Sequence, residues 1–322
     1  MAVEDISGGP GHEPSGSTVV VTGWHDVLVP ALATRLLHEG HRVLVPAPLL
    51  LPGRTTLQTW PHGGPAPDAD HRAPEFVEHD PEDPEVPAQL SRGVHLVVHV
   101  DARPVGETLR GRSCATLVAL FALRVAERNG ARLVVACPAE QDQPGTVDGL
   151  VAGFRSAHPV EAVLVRVPEC YGPGVPARDT GVVSRMLTQA TTTGTVVVDR
   201  QDRRRHRPCF VDDVVSGLLR VAAQGVVGDG TPVRLGPAVS LSTAEVAEQV
   251  CLATGAAVRV VGLRALAEPL APQQDEVEAA PVADGPPEVG LAEGLSRCLG
   301  AVEVTAARAV VPAPVVRRSR TG

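Results

Sequence analysis

Apolar positions in this chain fall into short unbroken runs that alternate with helical stripes. Thr18–Thr22 (TVVVT) is a continuous run closed by Gly23, the pattern of a strand buried on both faces and followed by a turn. Val29–Glu39 then places Leu32, Leu36 and Leu37 on one side and stops at Gly40, as a helix ended by glycine does. Arg42–Val45 follows at once, and strand, helix and strand in about 30 residues make the βαβ unit of a parallel sheet. Pro46 to Pro74, rich in Pro, Gly and His, reads as loop. Further strands are expected at Glu75–Glu78, His95–Val100, Arg132–Ala136 and Ala162–Val167, with helices between them, most clearly Ala115–Arg128, closed by Asn129-Gly130. After Glu169 the pattern is mixed. A helix near Gly181–Ala190, a strand at Thr195–Val198, and helices at Asp212–Ala223 and Thr243–Thr254 are expected. Acidic, Pro-rich sequence from Glu268 to Val289 leads to a short helix, Leu291–Leu299. The expected class is α/β: a doubly wound parallel sheet over 18–168 and a smaller mixed α/β substrate lobe over 169–311, interleaved with the sheet. Residues 1–17 and 312–322 read as tails.

Composition narrows the picture. Of 322 residues, 43% are hydrophobic but only 2% aromatic, so the core must be built from Val, Leu and Ala. A net charge of −8 excludes the basic field that nonspecific nucleic-acid binding needs. Lysine is absent, so all 29 basic residues are Arg; Ile6 and Asn129 are the single Ile and Asn, a bias expected of a GC-rich genome. The six cysteines stand singly, with no C-x-x-C and no His at zinc spacing, which reads as free thiols in a reducing cytosol and no metal. No apolar run reaches membrane-spanning length and no signal peptide opens the chain. A cytoplasmic monomer or homodimer with no membrane partner is therefore expected.

Five motifs in order resemble those of the extended short-chain dehydrogenases, the group of nucleotide-sugar epimerases and dehydratases. VVVTG-W-H-D stands where the family has strand-T-G-x-x-G-x-x-G, and His95–Ala102 (HLVVHVDA) where it has a strand ending H-L-A-A. Arg166–Gly174 (RVPECYGPG) resembles R-x-x-N-V-Y-G-P-G, Arg205–Leu219 the R-D-F-V-Y-V-D-D-V segment, and Glu288–Leu295 the closing V-S-L-E-E-G-L. The resemblance implies a Rossmann-type fold. It also implies cofactor contacts from Gly23, Trp24, His25, Asp26, Val27 and Leu28, from Asp80 at the adenine, from Val100, Asp101 and Ala102, from Ala136 and Cys137, and from Pro168. Substrate contacts would come from His99, Pro138, Glu140, Tyr171 and Met186.

The chain departs from the family in three places. Asp26 and Val29 stand at the second and third glycines of the phosphate loop, which leaves two readings open: a loop that binds no dinucleotide, or one that holds phosphate with backbone N–H groups at a helix N-terminus. Pro46-Ala47-Pro48 stands where an acid would grip the ribose 2′-hydroxyl of NAD. That favours NADP(H), with His25, Arg54 or Arg72 as possible partners for the 2′-phosphate. Glu140 and Pro144 occupy the positions of the catalytic Tyr and Lys, and Cys137-Pro138-Ala139 the hydroxyl region. With no Lys and a single Tyr, already used by Y-G-P-G, the pair is gone and no catalytic residue is assigned.

The expected activity is an NADPH-dependent ketoreductase acting on a small molecule, a polycyclic aromatic polyketide of the angucyclinone type, in antibiotic biosynthesis. A phenol beside the ketone would then supply the proton. The alternatives are a redox-silent binding protein and a cofactor-free isomerase or cyclase using Glu140 or His99. The basic run Arg203–Arg207 overlies the family's sugar-nucleotide phosphate segment and also reads as a solvated loop.

Overall fold

A computed structural model describes residues 16–23, 27–48, 74–79, 85–101, 109–139, 147–173, 181–224, 231–237, 239–261 and 289–309. Its first element is β1 (Thr18–Gly23), followed by α1 (Leu28–His38), β2 (Arg42–Pro48), β3 (Glu75–His79) and β4 (Val94–Val100). Next come α2 (Leu109–Asn129), β5 (Arg132–Pro138), α3 (Val147–Ala157) and β6 (Ala162–Val167). These strands and the short β11 (Val233–Arg234) form one parallel sheet in the order β11-β6-β5-β4-β1-β2-β3. The strand order reverses between β1 and β4, and in such sheets ligands bind outside the carboxyl ends at the reversal.

The valine-rich runs form strands because both faces of the sheet are covered. Val19 and Val21 pack with α1 in one aliphatic cluster, while Val20 packs in the other with Phe121, Leu123 and Val151 of α2 and α3. Asn129, the single asparagine, ties α2 to the head of β4. Its Oδ1 accepts the Val94 N–H at 3.2 Å, and its Nδ2 donates to Leu90 and Val125 carbonyls at 2.9 and 2.8 Å.

The remaining described elements are β7 (Cys170–Tyr171), α4 (Val182–Thr193), β8 (Thr195–Asp199), β9 (Arg205–His206), β10 (Cys209–Phe210) and α5 (Val211–Gln224). They continue with β12 (Leu241–Ser242), α6 (Thr243–Thr254), β13 (Ala257–Val261) and α7 (Leu291–Ala309). Three two-stranded pairs join them: β7 with β10, β9 with β12, and β8 with β13. Helix α6 opens on a capping box between Ser242 and Glu245 and ends at left-handed Gly255, so its bounds equal those expected from sequence.

Several expectations need correction. Pro46–Pro48 is strand, not loop: past Leu44, β2 has lost its pairing with β1 and pairs with β3 alone, a place where proline does not interrupt a central ladder. Helix α2 starts at Leu109 rather than Ala115, and α7 runs to Ala309 rather than Leu299. Strand β13 was not expected at all. The tails at 1–15 and 310–322, and most of the Pro46–Pro74 stretch, lie outside the described residues.

Gly23 has φ +102°, and a Cβ there would overlap the Val100 carbonyl oxygen. Gly23→Ala should therefore cost at least about 2 kcal/mol in chemical denaturation, from strain and clash together. Gly149→Ala, in α3 with open space around it, should instead stabilise by roughly 0.5–1 kcal/mol. Equal effects at the two positions would contradict the close approach of β1 and β4.

Candidate functional site

The site forms where β1 and β4 meet. Gly23 is the register partner of Val100, and Thr22 that of His99. Val27 and Leu28, where α1 opens, have buried side chains. Trp24, His25 and Asp26 lie outside the described residues, as do Asp80, Ala102 and Glu140, and Arg54 and Arg72 proposed for the 2′-phosphate. Val29, at the third-glycine position, is on the buried face of α1. Beyond Leu44, β1 and β2 no longer pair.

The described residues fit a dinucleotide at the level of backbone. Gly23 has the positive φ that the first glycine of such a loop supplies, and α1 begins at Leu28, just after the loop. They do not supply the acid that grips an unphosphorylated ribose, because Ala47 continues β2 at that position.

On the α2/α3 side of the sheet, the carboxyl ends carry a group of buried polar residues. Asp101 follows β4, and its N–H donates to the Ala136 carbonyl at 2.8 Å. Cys137 of β5 lies among Asp101, Asp148 and Arg166; burial first, and those two carboxylates next, push its thiol up. Arg166 of β6 is 6% exposed and pairs with Asp148 in the first turn of α3 at 2.6 Å. His99 is 2% exposed, and neither ring nitrogen has a hydrogen-bond partner. Burial lowers its pKa to about 4, so the imidazole is neutral near pH 7. Ala136 and Pro168 are buried behind this group, and Pro138 is half-buried at the end of β5.

Tyr171 and Met186 sit elsewhere, each 1% exposed in the aliphatic cluster that includes α4, α5 and α7. The Tyr171 ring meets Phe210 edge-on, with centroids 5.6 Å apart and planes at 74°. Its hydroxyl lies against Gly294 of α7, where a Cβ would overlap it. Burial pushes the phenol up. The basic run is bound to its own neighbourhood: Arg204 pairs with Asp202, Arg205 with Ser240, and Arg207 donates to the Pro237 carbonyl. His206 lies between Glu169 and Thr243. Sequence reasoning missed Arg166 and Asp148 as members of the site; the signal was an arginine closing a buried strand. Among the described residues no group of His, Cys, Asp and Glu could hold a metal, and no helix is long and apolar enough to cross a membrane.

Two outcomes follow from this geometry. Tyr171→Phe should stay folded and retain most of its turnover; a loss beyond about a hundredfold, the scale of a missing general acid, would place the chemistry at Tyr171. His99 binds its proton at lower pH when folded than its ordinary value of 6.5, so the unfolded chain holds more protons between pH 6.5 and about 4. Its contribution to stability is complete above pH 6.5 and is lost toward pH 4, at up to ~1.4 kcal/mol per pH unit. Urea titrations of the parent and His99→Leu across this window should diverge as the pH falls, the parent losing stability that the variant keeps; parallel profiles would refute a neutral, buried His99.

Comparison with known proteins bears on the second half of the chain first. Residues 146–236 match the NAD dependent epimerase/dehydratase family, a segment that begins just after Glu140 and Pro144. Among curated relatives, UDP-glucuronic acid decarboxylase 5 of Arabidopsis thaliana is 29% identical over 102 residues, 31% of this chain. UDP-glucuronic acid decarboxylase 3 of the same plant is 28% identical over 101 residues. The match spans 29% of the length of these relatives. Across nearly the whole chain the likeness is one of fold. A UDP-glucose 4-epimerase of Thermotoga maritima, solved with UDP-glucose, superposes with a TM-score of 0.64 at 15% identity, covering 90% of this chain and 99% of that one. The Bordetella bronchiseptica enzyme WbmF, solved with NAD+, gives 0.66 at 18%, covering 91% and 94%. The chain thus has the Rossmann-type fold of the NAD-dependent epimerases and dehydratases, and carries that family's sequence pattern over residues 146–236.

Proposed function

We propose that this protein is an atypical NADPH-dependent ketoreductase that reduces a ketone of a polycyclic aromatic polyketide without a proton donor of its own. The observation that carries the reading is the position of Tyr171. It is the single tyrosine of a chain without lysine, and its phenol is buried against Phe210 and α7 rather than turned toward the carboxyl ends of β4 and β5. Epimerisation and dehydration of nucleotide sugars need a tyrosine to remove a hydroxyl proton. Reduction of a ketone needs only a placed hydride donor and a proton source. Within this class the chain resembles the ketoreductase of simocyclinone biosynthesis, which shares the missing pair.

When bound, a reduced nicotinamide supplies the hydride. The protein's part is placement: Gly23, Val27 and Leu28 hold the phosphate end, and the ends of β4 and β5 orient the reacting pair and exclude water. His99, neutral, is a weak acid and is sealed inside. The proton comes from a phenol hydrogen-bonded to the ketone, held at contact distance and leaving a delocalised phenolate. Placement needs no dyad, while a missing general acid costs about 10²–10⁴ in rate, which a phenol so held offsets. Ala47 in place of an acid supports NADPH over NADH.

NADPH should bind at least tenfold more tightly than NADH by calorimetry. Equal affinities, or no binding of either, would overturn the reading in favour of a binding scaffold. With 8-hydroxy-1-tetralone as a minimal probe, reduction should proceed, and 8-methoxy-1-tetralone should bind but turn over far more slowly. An unchanged rate for the methyl ether would remove the substrate as the acid and make Glu140 and His99 the residues to mutate.

A further inference from the structure

Among the described residues, the buried polar or charged side chains are Thr22, His99, Asp101, Arg166, Ser184 and Thr243. The first four share one address. Val20 belongs to the α2/α3 cluster while Val19 and Val21 belong to the other, so alternation puts Thr22 on the α2/α3 side. His99 follows Val97 of that cluster by two residues, and Asp101 follows His99 by two. Cys137 is in the cluster itself, and Arg166 reaches Asp148 of α3. A core otherwise built of valine, leucine and alanine therefore holds a polar seam across the carboxyl ends of β1, β4, β5 and β6.

Most of this seam is satisfied internally: Arg166 pairs with Asp148, and the Asp101 backbone bonds to β5. His99 differs in that every polar atom of its side chain is left without a hydrogen bond, where Arg166 and Asp148 leave one atom each. Both ring nitrogens are enclosed with no partner, and a buried polar group left so is destabilising where a leucine would pack without penalty. An imidazole in this state offers one donor and one acceptor. The formal charges of the seam, Asp101 and Asp148 against Arg166, sum to −1, which disfavours an anion and leaves a neutral hydrogen-bonding group as the fitting guest. Enclosure restricts that guest to something the size of a water or one functional group at the end of a ligand.

We propose that His99 is a positioning residue: its imidazole hydrogen-bonds an ordered water or a carbonyl, hydroxyl or carboxamide group of the ligand that occupies the carboxyl ends of β1, β4 and β5. The proposal shares with the ketoreductase reading only the place where the ligand lies. His99 stands opposite Thr22, one residue short of the end of β4, so the residue acts from beneath the ligand rather than on its reacting atoms.

The test compares the full-length parent with His99→Leu and His99→Gln in thermal melts, alone and with NADPH or 8-hydroxy-1-tetralone. Without ligand, His99→Leu should melt about 2–4 °C higher, since it removes an unsatisfied group. With ligand, the parent and His99→Gln should show the same rise in Tm, while His99→Leu loses most of that rise. In turnover, His99→Leu should lower kcat at least tenfold with an unchanged KM for NADPH, and His99→Gln should recover part of the loss. Parental ligand shifts and kcat in His99→Leu would overturn the proposal. A parent that shows ligand shifts but reduces no ketone would overturn the ketoreductase reading alone, because the shifts still decide His99. A parent unshifted by both probes would overturn both.

Discussion

Everything at the carboxyl edge of the sheet depends on how closely β1 and β4 approach. Gly23 turns out of β1 with its α-carbon against the Val100 carbonyl, a contact that any Cβ would block. The strands on either side run away from this junction in opposite order, so the start of α1 and the polar seam take their position from it. That is why the first glycine of the phosphate loop is kept while the second and third are replaced. Asp26 and Val29 alter what the loop offers a ligand; a residue other than glycine at 23 would alter where the sheet ends.

The second organising feature is the packing around Tyr171. A reader looking for a protein acid would turn to the single tyrosine present. Instead it fills a hole: Phe210 meets its edge, Gly294 leaves room for its hydroxyl, and Arg297 caps Phe210 from outside at 5.4 Å. In a chain with so few aromatics, one large ring closes the seam between β7, β10 and α7. Packing of this kind buries the phenol away from solvent.

Much of the large sheet was legible because burial on both faces forces unbroken runs of valine, which no helix would need. Ala162–Val167 and Thr243–Thr254 emerged at their expected bounds. Proline misled at Pro46–Pro48, since a rule about hydrogen bonds says nothing of strands that pair on one side. Ala257–Val261 was missed because β13 is an exposed edge, with Val258 and Val260 open to solvent and no alternation to betray it. The two-residue strands β7, β9, β10 and β12 exist only through distant pairing. At the site, Gly23 and the absent dyad could be read from the letters. The polar seam could not, because Thr22, His99, Cys137 and Arg166 share a face only after four strands are laid side by side.

Asn129 illustrates what a biased composition does to a fold. As the single asparagine, followed by Gly130, it forms the dipeptide in which side-chain amides hydrolyse most readily, through attack by the next backbone nitrogen. Here both amide atoms are occupied, bridging α2, Leu90 and Val94. Folding withholds the amide from that attack. If it were converted to aspartate, a carboxylate would face the carbonyl oxygens of Leu90 and Val125, and the joint between α2 and β4 would turn repulsive. For this protein, chemical ageing at the amide and loosening of the central strand would be one event, recorded as a single added negative charge.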